Sequence, residues 1–353
     1  DGIYIASDTL SFSTATHDAV LLDDFDMVEI DGKNISIFNI QSNEFKPVLI
    51  KKLKHQFNNI DKGKFDHFML KEIVDQKDTI LLATEYSEKE FEPFLKVVRN
   101  ANRIYVTGAG TAGFSAGQVA FFLRNIANID AQEIKSYEFK QYIPIVKEDD
   151  VLIALSQSGE TADTIEAIEA FKKKGCRVAS LVNMYGTTIS RLSDFEFYTN
   201  SGPEICVAST KVFTAQCAWG YLLSMALAKR YEEGRKNLTI LTKSISPLFS
   251  ESSFKKIKAI SNKLKNKEHA FILGKGENFF IALEGALKIK EISYKHVEGF
   301  AAGELKHGVI ALIEKDTPVI SIIPSKESCD FHDMISAVEQ VKARGALTIG
   351  IGD

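Results

Sequence analysis

The chain has 353 residues, a mass of 39.2 kDa, a formal net charge of −4 and an isoelectric point near 6.1. This length allows two or three domains, and 45% hydrophobic with 25% charged residues excludes a disordered or fibrous protein. The slight acidity gives no reason to expect nucleic acid or an acidic membrane surface as a partner. The longest apolar stretch, 218–228, is too short to span a membrane, and no signal peptide begins the chain. We therefore expect a soluble, cytoplasmic protein.

The first 60 or so residues predict β structure. Asp31-Gly32 lies between the apolar runs 28–30 and 35–38, which is a hairpin signal. This part has few apolar residues and no helix to cover them, so we interpret it as the end of a larger domain. The chain also begins with Asp1 rather than methionine, so we expect that residue 1 is not a natural start. The polar segment 59–63 predicts a linker.

From about residue 65 the pattern changes to alternating strands and helices. Strands are predicted at 104–106, 151–155 and 177–182, and helices at 115–125, 161–174 and 209–229. Such alternation predicts a doubly wound sheet of parallel strands. The fold class is therefore α/β.

A repeat indicates two tandem lobes. The run 271–276 matches 105–110 at an offset of about 166 residues, and 337–345 matches 167–175 at about 170. We expect the second lobe to be incomplete, because the chain ends after its second clear strand. The predicted divisions are an N-terminal domain end (1–62), a linker with a first helix (63–82), lobe 1 (83–235) and lobe 2 (236–353).

The segment from Ser156 to Thr161 predicts a phosphate site. It connects a buried strand to a helix, and the free N–H groups at a helix start bind anions. Ser156, Ser158 and Thr161 add hydroxyls, Gln157 adds an amide, and Gly159 allows close approach. The alternative is an ordinary N-cap, but three hydroxyls exceed what one cap needs. A second loop, 202–210, also leads into a helix; it is either a cap or another wall of the same pocket.

The predicted helix 281–293 carries Glu284, Lys288 and Glu291 on one face. A solvent-facing salt bridge is the default interpretation. The surrounding apolar residues favour a polar stripe that lines a cavity, where a desolvated carboxylate beside a lysine can move a proton between carbons. Downstream, small residues in 296–308 predict a tight loop that brings His307 to a site. Histidine titrates near neutrality, so His307 is a candidate acid–base group, although a single loop histidine is more often incidental.

These motifs together resemble the glucosamine-6-phosphate synthase family, the isomerizing glutamine–fructose-6-phosphate aminotransferases. The residues that carry the resemblance are 156–164, 204–211, 282–294 and 303–308. They stand in the family's order, and the resemblance covers nearly the whole chain.

The resemblance implies a glutaminase domain of the N-terminal-nucleophile type followed by two sugar isomerase (SIS) lobes. Residues 1–62 would be the end of the glutaminase domain, so this chain is not expected to hydrolyse glutamine. The implied reaction converts fructose 6-phosphate and glutamine-derived ammonia to glucosamine 6-phosphate, without metal or organic cofactor, in a homodimer. The family's C-terminal tail, with its Schiff-base lysine, is expected to lie beyond Asp353.

The resemblance also implies roles for individual residues. Glu291 would move a proton between C1 and C2 of the sugar, Lys288 would assist, and His307 would open the ring in the neighbouring subunit's site. The substrate-binding residues would be Ser156, Gln157, Ser158, Thr161, Thr111, Val207 and Glu284.

One position departs from the family pattern. Ala112 stands where the family usually has serine, and a lost hydrogen bond to a phosphate costs about 1.5–3 kcal/mol unless Ser115 or water replaces it. Two other functions remain open: a related SIS deglycase that acts on fructosamine 6-phosphates, and a SIS module that binds sugar phosphates without chemistry. The four cysteines argue against a disulfide framework or zinc site, since no CxxC occurs among Cys176, Cys206, Cys217 and Cys329.

Overall fold

A computed structural model describes residues 2–6, 12, 15–16, 18–52 and 61–352. The N-terminal region contains two small antiparallel sheets, β1–β5 and β2–β3–β4. The predicted hairpin is confirmed, with Asp31 paired to Asn34 across the turn Gly32-Lys33. Of the predicted linker, 59–60 lie outside the described residues, and 61–63 are neither helix nor strand. The strands are β1 Asp18–Val20, β2 Asp26–Asp31, β3 Asn34–Asn39, β4 Glu44–Lys46 and β5 Ile50–Lys52.

The first lobe is built on a five-stranded sheet in the order β10-β9-β8-β6-β7. All neighbouring strands are parallel, as the alternation of strands and helices predicts. The strands are β6 Ile104–Gly108, β7 Ala131–Lys135, β8 Val151–Ser156, β9 Arg177–Val182 and β10 Phe195–Tyr198. Every residue of β6 and β8 is buried, because helices cover both faces of a doubly wound sheet.

The helices of this part of the chain are α1 Phe68–Leu82, α2 Glu88–Asn100, α3 Gly110–Ala127, α4 Ala162–Lys173, α5 Thr188–Leu192, α6 Lys211–Leu227, α7 Tyr231–Ile245 and α8 Glu251–Leu264. Helix α6 packs against α3 and α1. Its Trp219 is fully buried, with ring centroids 5.1 Å from Phe197 and 6.2 Å from Phe91. The core of the first lobe is therefore aromatic where α2, α6 and β10 meet.

The second lobe has four parallel strands in the order β12-β11-β13-β14. They are β11 His269–Gly274, β12 His296–Ala301, β13 Pro318–Ile322 and β14 Leu347–Ile351, with helices α9 Phe279–Ser293 and α10 Phe331–Ala343. The predicted repeat is confirmed, since β6–α3 corresponds to β11–α9, and α4–β9 to α10–β14. No helix within the described ranges is long and apolar enough to cross a membrane.

Two sequence-based expectations need correction. The segment predicted as a tight loop begins with strand β12 and continues as a 3-10 helix over Ala302–His307. The small residues there serve close packing, because a Cβ at Gly299 would lie 2.6 Å from the carbonyl oxygen of Ala282 on α9. The second lobe also has more than two strands within the chain. The other predicted helices are confirmed with shifted ends, and α3 begins at Gly110 instead of residue 115.

Candidate active site

The predicted phosphate loop lies at the carboxyl end of the central strand β8, where open α/β sheets bind ligands. The Ser156 hydroxyl oxygen accepts a hydrogen bond from the Gly159 N–H at 3.0 Å and lies 3.2 Å from the Thr161 hydroxyl oxygen. Gly159 has φ +71°, and a Cβ there would lie 2.1 Å from Thr187 Oγ1. The loop thus turns tightly beneath the start of α4, and only glycine fits at its bend.

The beginning of α4 has no side-chain cap. Thr161 is the N-cap residue, yet its side chain makes no capping hydrogen bond, so the N-cap interpretation does not account for its hydroxyl. The first N–H groups of a helix have no partner within the helix, and the macrodipole places partial positive charge beside them. Ser158 is exposed and Gln157 is half-buried on the same loop. These groups together form a small, neutral set of hydrogen-bond donors.

The polar stripe of α9, formed by Glu284, Lys288 and Glu291, meets the first lobe at Thr111 in the first turn of α3. The Thr111 hydroxyl donates to Glu284 Oε1 at 3.1 Å and accepts from Lys288 Nζ at 2.9 Å. Lys288 Nζ also donates to Glu291 Oε2 at 2.8 Å and lies 3.5 Å from Glu284 Oε1. The predicted ion pair therefore exists, but it lies between the lobes rather than facing solvent. Its two carboxylates share one ammonium.

The two carboxylates differ in solvent exposure. The Glu284 side chain is 7% exposed, whereas that of Glu291 is 32% exposed. Loss of hydration raises the pKa of Glu284 to about 7, and the neighbouring Glu291 adds to the rise, while Lys288 and the Thr111 hydroxyl oppose it. Glu284 is thus partly protonated at neutral pH, and Glu291 is the more solvent-exposed of the two carboxylates.

The second loop, 202–210, contains both a cap and an exposed apolar residue. The Glu204 carboxylate accepts from the backbone N–H groups of Thr210 at 2.7 Å and Val212 at 3.4 Å, at the start of α6. It also accepts from the Ser209 hydroxyl at 2.6 Å. Val207 is 98% exposed. Capping is therefore carried out by Glu204, which was not among the predicted site residues, and Val207 is free to contact a ligand.

His307 stands apart from the other predicted residues. It ends the 3-10 helix that follows β12 and is exposed, as are Glu304 and Lys306. Within the described part of the chain, its side chain makes no hydrogen bond or ion pair. The structure therefore brings Thr111, Glu284, Lys288 and Glu291 into contact, and leaves His307 on the surface of the second lobe.

Ser115 does not replace the hydroxyl that is missing at Ala112. Ser115 is fully buried, and its hydroxyl donates to the Thr111 carbonyl one helical turn earlier at 3.2 Å. Ala112 is half-buried in the first turn of α3. Among the described residues, no group of three His, Cys, Asp or Glu side chains could hold a metal ion.

Comparisons with known proteins identify the family of the chain. The family model described as "SIS domain" matches residues 98–226 and 263–353. Proteins named glutamine–fructose-6-phosphate aminotransferase [isomerizing] are 36% identical in Fusobacterium nucleatum and 38% identical in Clostridium tetani, covering 98% and 99% of this chain. The chain spans 59% of the length of either relative.

A solved structure is also similar. The C-terminal domain of glucosamine–fructose-6-phosphate aminotransferase from Francisella tularensis is 31% identical, with a TM-score of 0.73 over 82% of this chain and 84% of that one. The lobes matched by the family model contain all the residues of the candidate site, and they make up more than half of the chain. The chain therefore belongs to the SIS domain family, and it is similar to isomerizing glutamine–fructose-6-phosphate aminotransferases over almost its whole length.

Proposed function

We propose that this chain is the sugar-converting part of an isomerizing glutamine–fructose-6-phosphate aminotransferase. Its substrate is fructose 6-phosphate, whose C2 carbonyl condenses with ammonia to an imine and releases water. A proton then leaves C1 and a proton is added at C2, which gives glucosamine 6-phosphate. A cytoplasmic location and a role in supplying amino-sugar precursors belong to the same proposal.

The observation that carries this proposal is the network of Thr111, Glu284, Lys288 and Glu291 between the lobes. A proton shift between adjacent carbons needs one base that reaches both, with nearby groups that balance its change of charge. Glu291 is the more exposed carboxylate of the network and is the proposed base. The Lys288 ammonium, 2.8 Å away, balances its charge as it gains and loses the proton.

The remaining residues would bind the sugar. Ser156, Gln157, Ser158 and Thr161 would hold the phosphate at the start of α4, and Val207 would contact the substrate from the second loop. Because the Glu284 pKa is about 7, its carboxyl can either donate to or accept from a sugar hydroxyl near neutral pH. In this proposal Thr111 serves the substrate and also connects the lobes.

Ring opening is assigned to His307. Its exposed position, away from the contacts of the α9 network, supports action on the site of a second copy of the chain rather than on its own site. Such a step requires a homodimer and an imidazole that moves a proton between the ring oxygen and a hydroxyl of the sugar. The ammonia would come from glutamine hydrolysed elsewhere in the full enzyme.

The proposal is tested by exchange of carbon-bound protons. Fructose 6-phosphate is incubated with the protein in heavy water, and deuterium at C1 is followed by NMR. The wild type should incorporate deuterium, and Glu291→Gln should lose about 10²- to 10⁴-fold in rate, the usual contribution of a general base. Glu298→Gln, which removes an exposed carboxylate on β12, is the matched control and should exchange normally. Equal rates in wild type and Glu291→Gln would exclude Glu291 as the base.

A further inference from the structure

A buried carboxylate on α1 holds the second loop. Glu72 is 1% exposed, and its Oε1 accepts from the backbone N–H of Ile205 at 2.6 Å and of Cys206 at 3.3 Å. These two residues immediately precede Val207. Glu72 lies outside the residues matched by the SIS family model, 98–226 and 263–353, so the loop of the candidate site is held by a residue that precedes that domain.

The position is costly for an acidic side chain, because burial removes the hydration of a carboxylate. Its second oxygen has no hydrogen-bond partner in the described part of the chain, and loss of hydration raises its pKa. The nearby Lys211 ammonium is also buried, 3% exposed, and lies 3.6 Å from Asp75 on the same helix as Glu72. Among the described residues, the side-chain hydrogen bonds of Glu72 go to the 202–210 loop, so that loop is where its carboxylate acts.

Three side chains hold the loop along its length. The Asn183 side-chain amide donates to the Gly202 carbonyl at 2.8 Å, at one end. Glu204 accepts from the Thr210 N–H at 2.7 Å, at the other end. Glu72 is the contact in the middle, and Val207 next to it is 98% exposed. These three contacts anchor the loop, while the side chain of Val207 faces solvent.

We propose that Glu72 is a positioning residue, which holds the 202–210 loop in the conformation that presents Val207 to the sugar phosphate. This inference rests on the proposed function, since it assigns the loop to the substrate site. The backbone N–H groups of Ile205 and Cys206 both donate to Glu72 Oε1, which fixes the position and the orientation of the segment that carries Val207. Because Glu72 belongs to α1, the position of the loop depends on how α1 packs against α6.

The first test uses the ligand-free protein. Backbone hydrogen exchange of the 202–210 loop is compared in wild type, Glu72→Ala, Glu72→Gln and the control Asp78→Asn, whose side chain is 68% exposed on the same helix. Glu72→Ala should exchange its Ile205 and Cys206 amides at least about tenfold faster, the fold-change expected for losing one hydrogen bond to a carboxylate. Glu72→Gln keeps an accepting oxygen and should stay close to wild type, as should Asp78→Asn.

The second readout is the deuterium exchange of fructose 6-phosphate described above. Glu72→Ala should raise the KM for the sugar by roughly tenfold with kcat within about twofold, because the loop binds substrate and does not move protons. Glu72→Gln should restore most of the affinity. A KM equal to that of the wild type in Glu72→Ala would overturn the positioning role.

The two readouts separate the possible failures. Unchanged loop amides in Glu72→Ala, or faster exchange spread evenly over α1 and α6, would overturn the inference even if the enzyme is active. If the wild type exchanges no carbon-bound protons of the sugar, the proposed function fails. The loop amides then decide alone whether Glu72 holds the loop.

Discussion

The two lobes share a strand–glycine–helix segment but differ in the free space beside its glycine. In the first lobe, a Cβ at Gly110 would meet no atom of the described residues within 4 Å, whereas at the corresponding Gly276 it would lie 2.1 Å from Asp330 Oδ2. Asp330 lies 3.3 Å from Lys275, which also contacts Asp333. The space beside the glycine is open in the first lobe, whereas in the second lobe it is filled by the ion pair of Asp330 with Lys275.

Asp330, the acidic partner of Lys275 in the second lobe, has a counterpart in the first lobe. Glu160 stands 170 residues before Asp330, the offset of the repeat. Its carboxylate accepts from the Thr188 N–H of α5 at 2.8 Å, so it is held away from the helix start. The two corresponding acidic side chains therefore contact different partners, Glu160 the start of α5 and Asp330 the Lys275 ammonium. In our proposal, the first lobe binds the phosphate and the second supplies the acid–base helix.

The largest effect is expected at the junction of the lobes. In the folded protein the pKa of Glu284 is about 7, above its ordinary value of 4.5. Between these values the unfolded chain loses the proton while the folded chain keeps it, so the stability that this group contributes falls as pH rises from about 4.5 to 7. Glu284→Gln removes this loss. Relative to the wild type, the free energy of unfolding of the variant should therefore rise by on the order of 2–3 kcal/mol between pH 4.5 and pH 8.

Thermal unfolding of both proteins across this pH range is the measurement. Glu298→Gln, which removes an exposed carboxylate on β12, is the control and should keep the wild-type pH dependence. Parallel stability curves for wild type and Glu284→Gln would contradict the buried position of Glu284 between the lobes.

A smaller effect, on ligand affinity, is expected when the start of α4 in the first lobe is compared with the start of α10 in the second. Ser158 accepts from the Glu160 N–H at 3.2 Å, and Ser328, at the same place in the second lobe, accepts from the Asp330 N–H at 3.3 Å. Either hydroxyl can still donate to a phosphate. Ser158→Ala should weaken fructose 6-phosphate binding about tenfold or more, and Ser328→Ala should leave it unchanged, as measured by isothermal titration. Similar losses in both variants would remove the distinction between the lobes.

The smallest effect is expected from removing the ion pairs at the start of α10 in the second lobe. Replacing Asp330 and Asp333 by alanine removes two carboxylates and frees Lys275 beside the start of α10. The double variant should bind a second inorganic phosphate with a Kd on the order of 1 mM, measured by phosphorus NMR titration. Adding Lys275→Ala should abolish this second site. If the double variant binds only as many phosphates as wild type, the ion pair is not what prevents phosphate binding at the start of α10.

The parts of the site that are local in sequence were predictable. The Ser156–Thr161 loop follows a buried strand, and the stripe of Glu284, Lys288 and Glu291 follows from helical spacing; the structure confirms both local conformations. Spacing on one helix determines which side chains share a face. It does not determine what that face meets, so the contact with Thr111 was not foreseen.

Contacts between distant segments account for most of what was missed. Glu72 is one acidic residue in a helix rich in charge, and nothing in its spacing indicates that it reaches Ile205, 133 residues away. The ion pair of Lys275 and Asp330 also depends on tertiary packing. Strand β12 was missed because its glycine, needed for close approach to α9, is typical of loops. In each case the deciding partner is far away in the chain.

The burial of Trp219 has a practical consequence. It is the chain's single tryptophan and lies in the aromatic core of the first lobe, where it is fully buried. Tryptophan emission therefore reports the unfolding of that lobe alone, while circular dichroism detects helices of both. Coincident transitions by the two signals would indicate that the lobes unfold as one cooperative unit. Separate transitions would allow the order in which the two halves melt to be read from native fluorescence without any label.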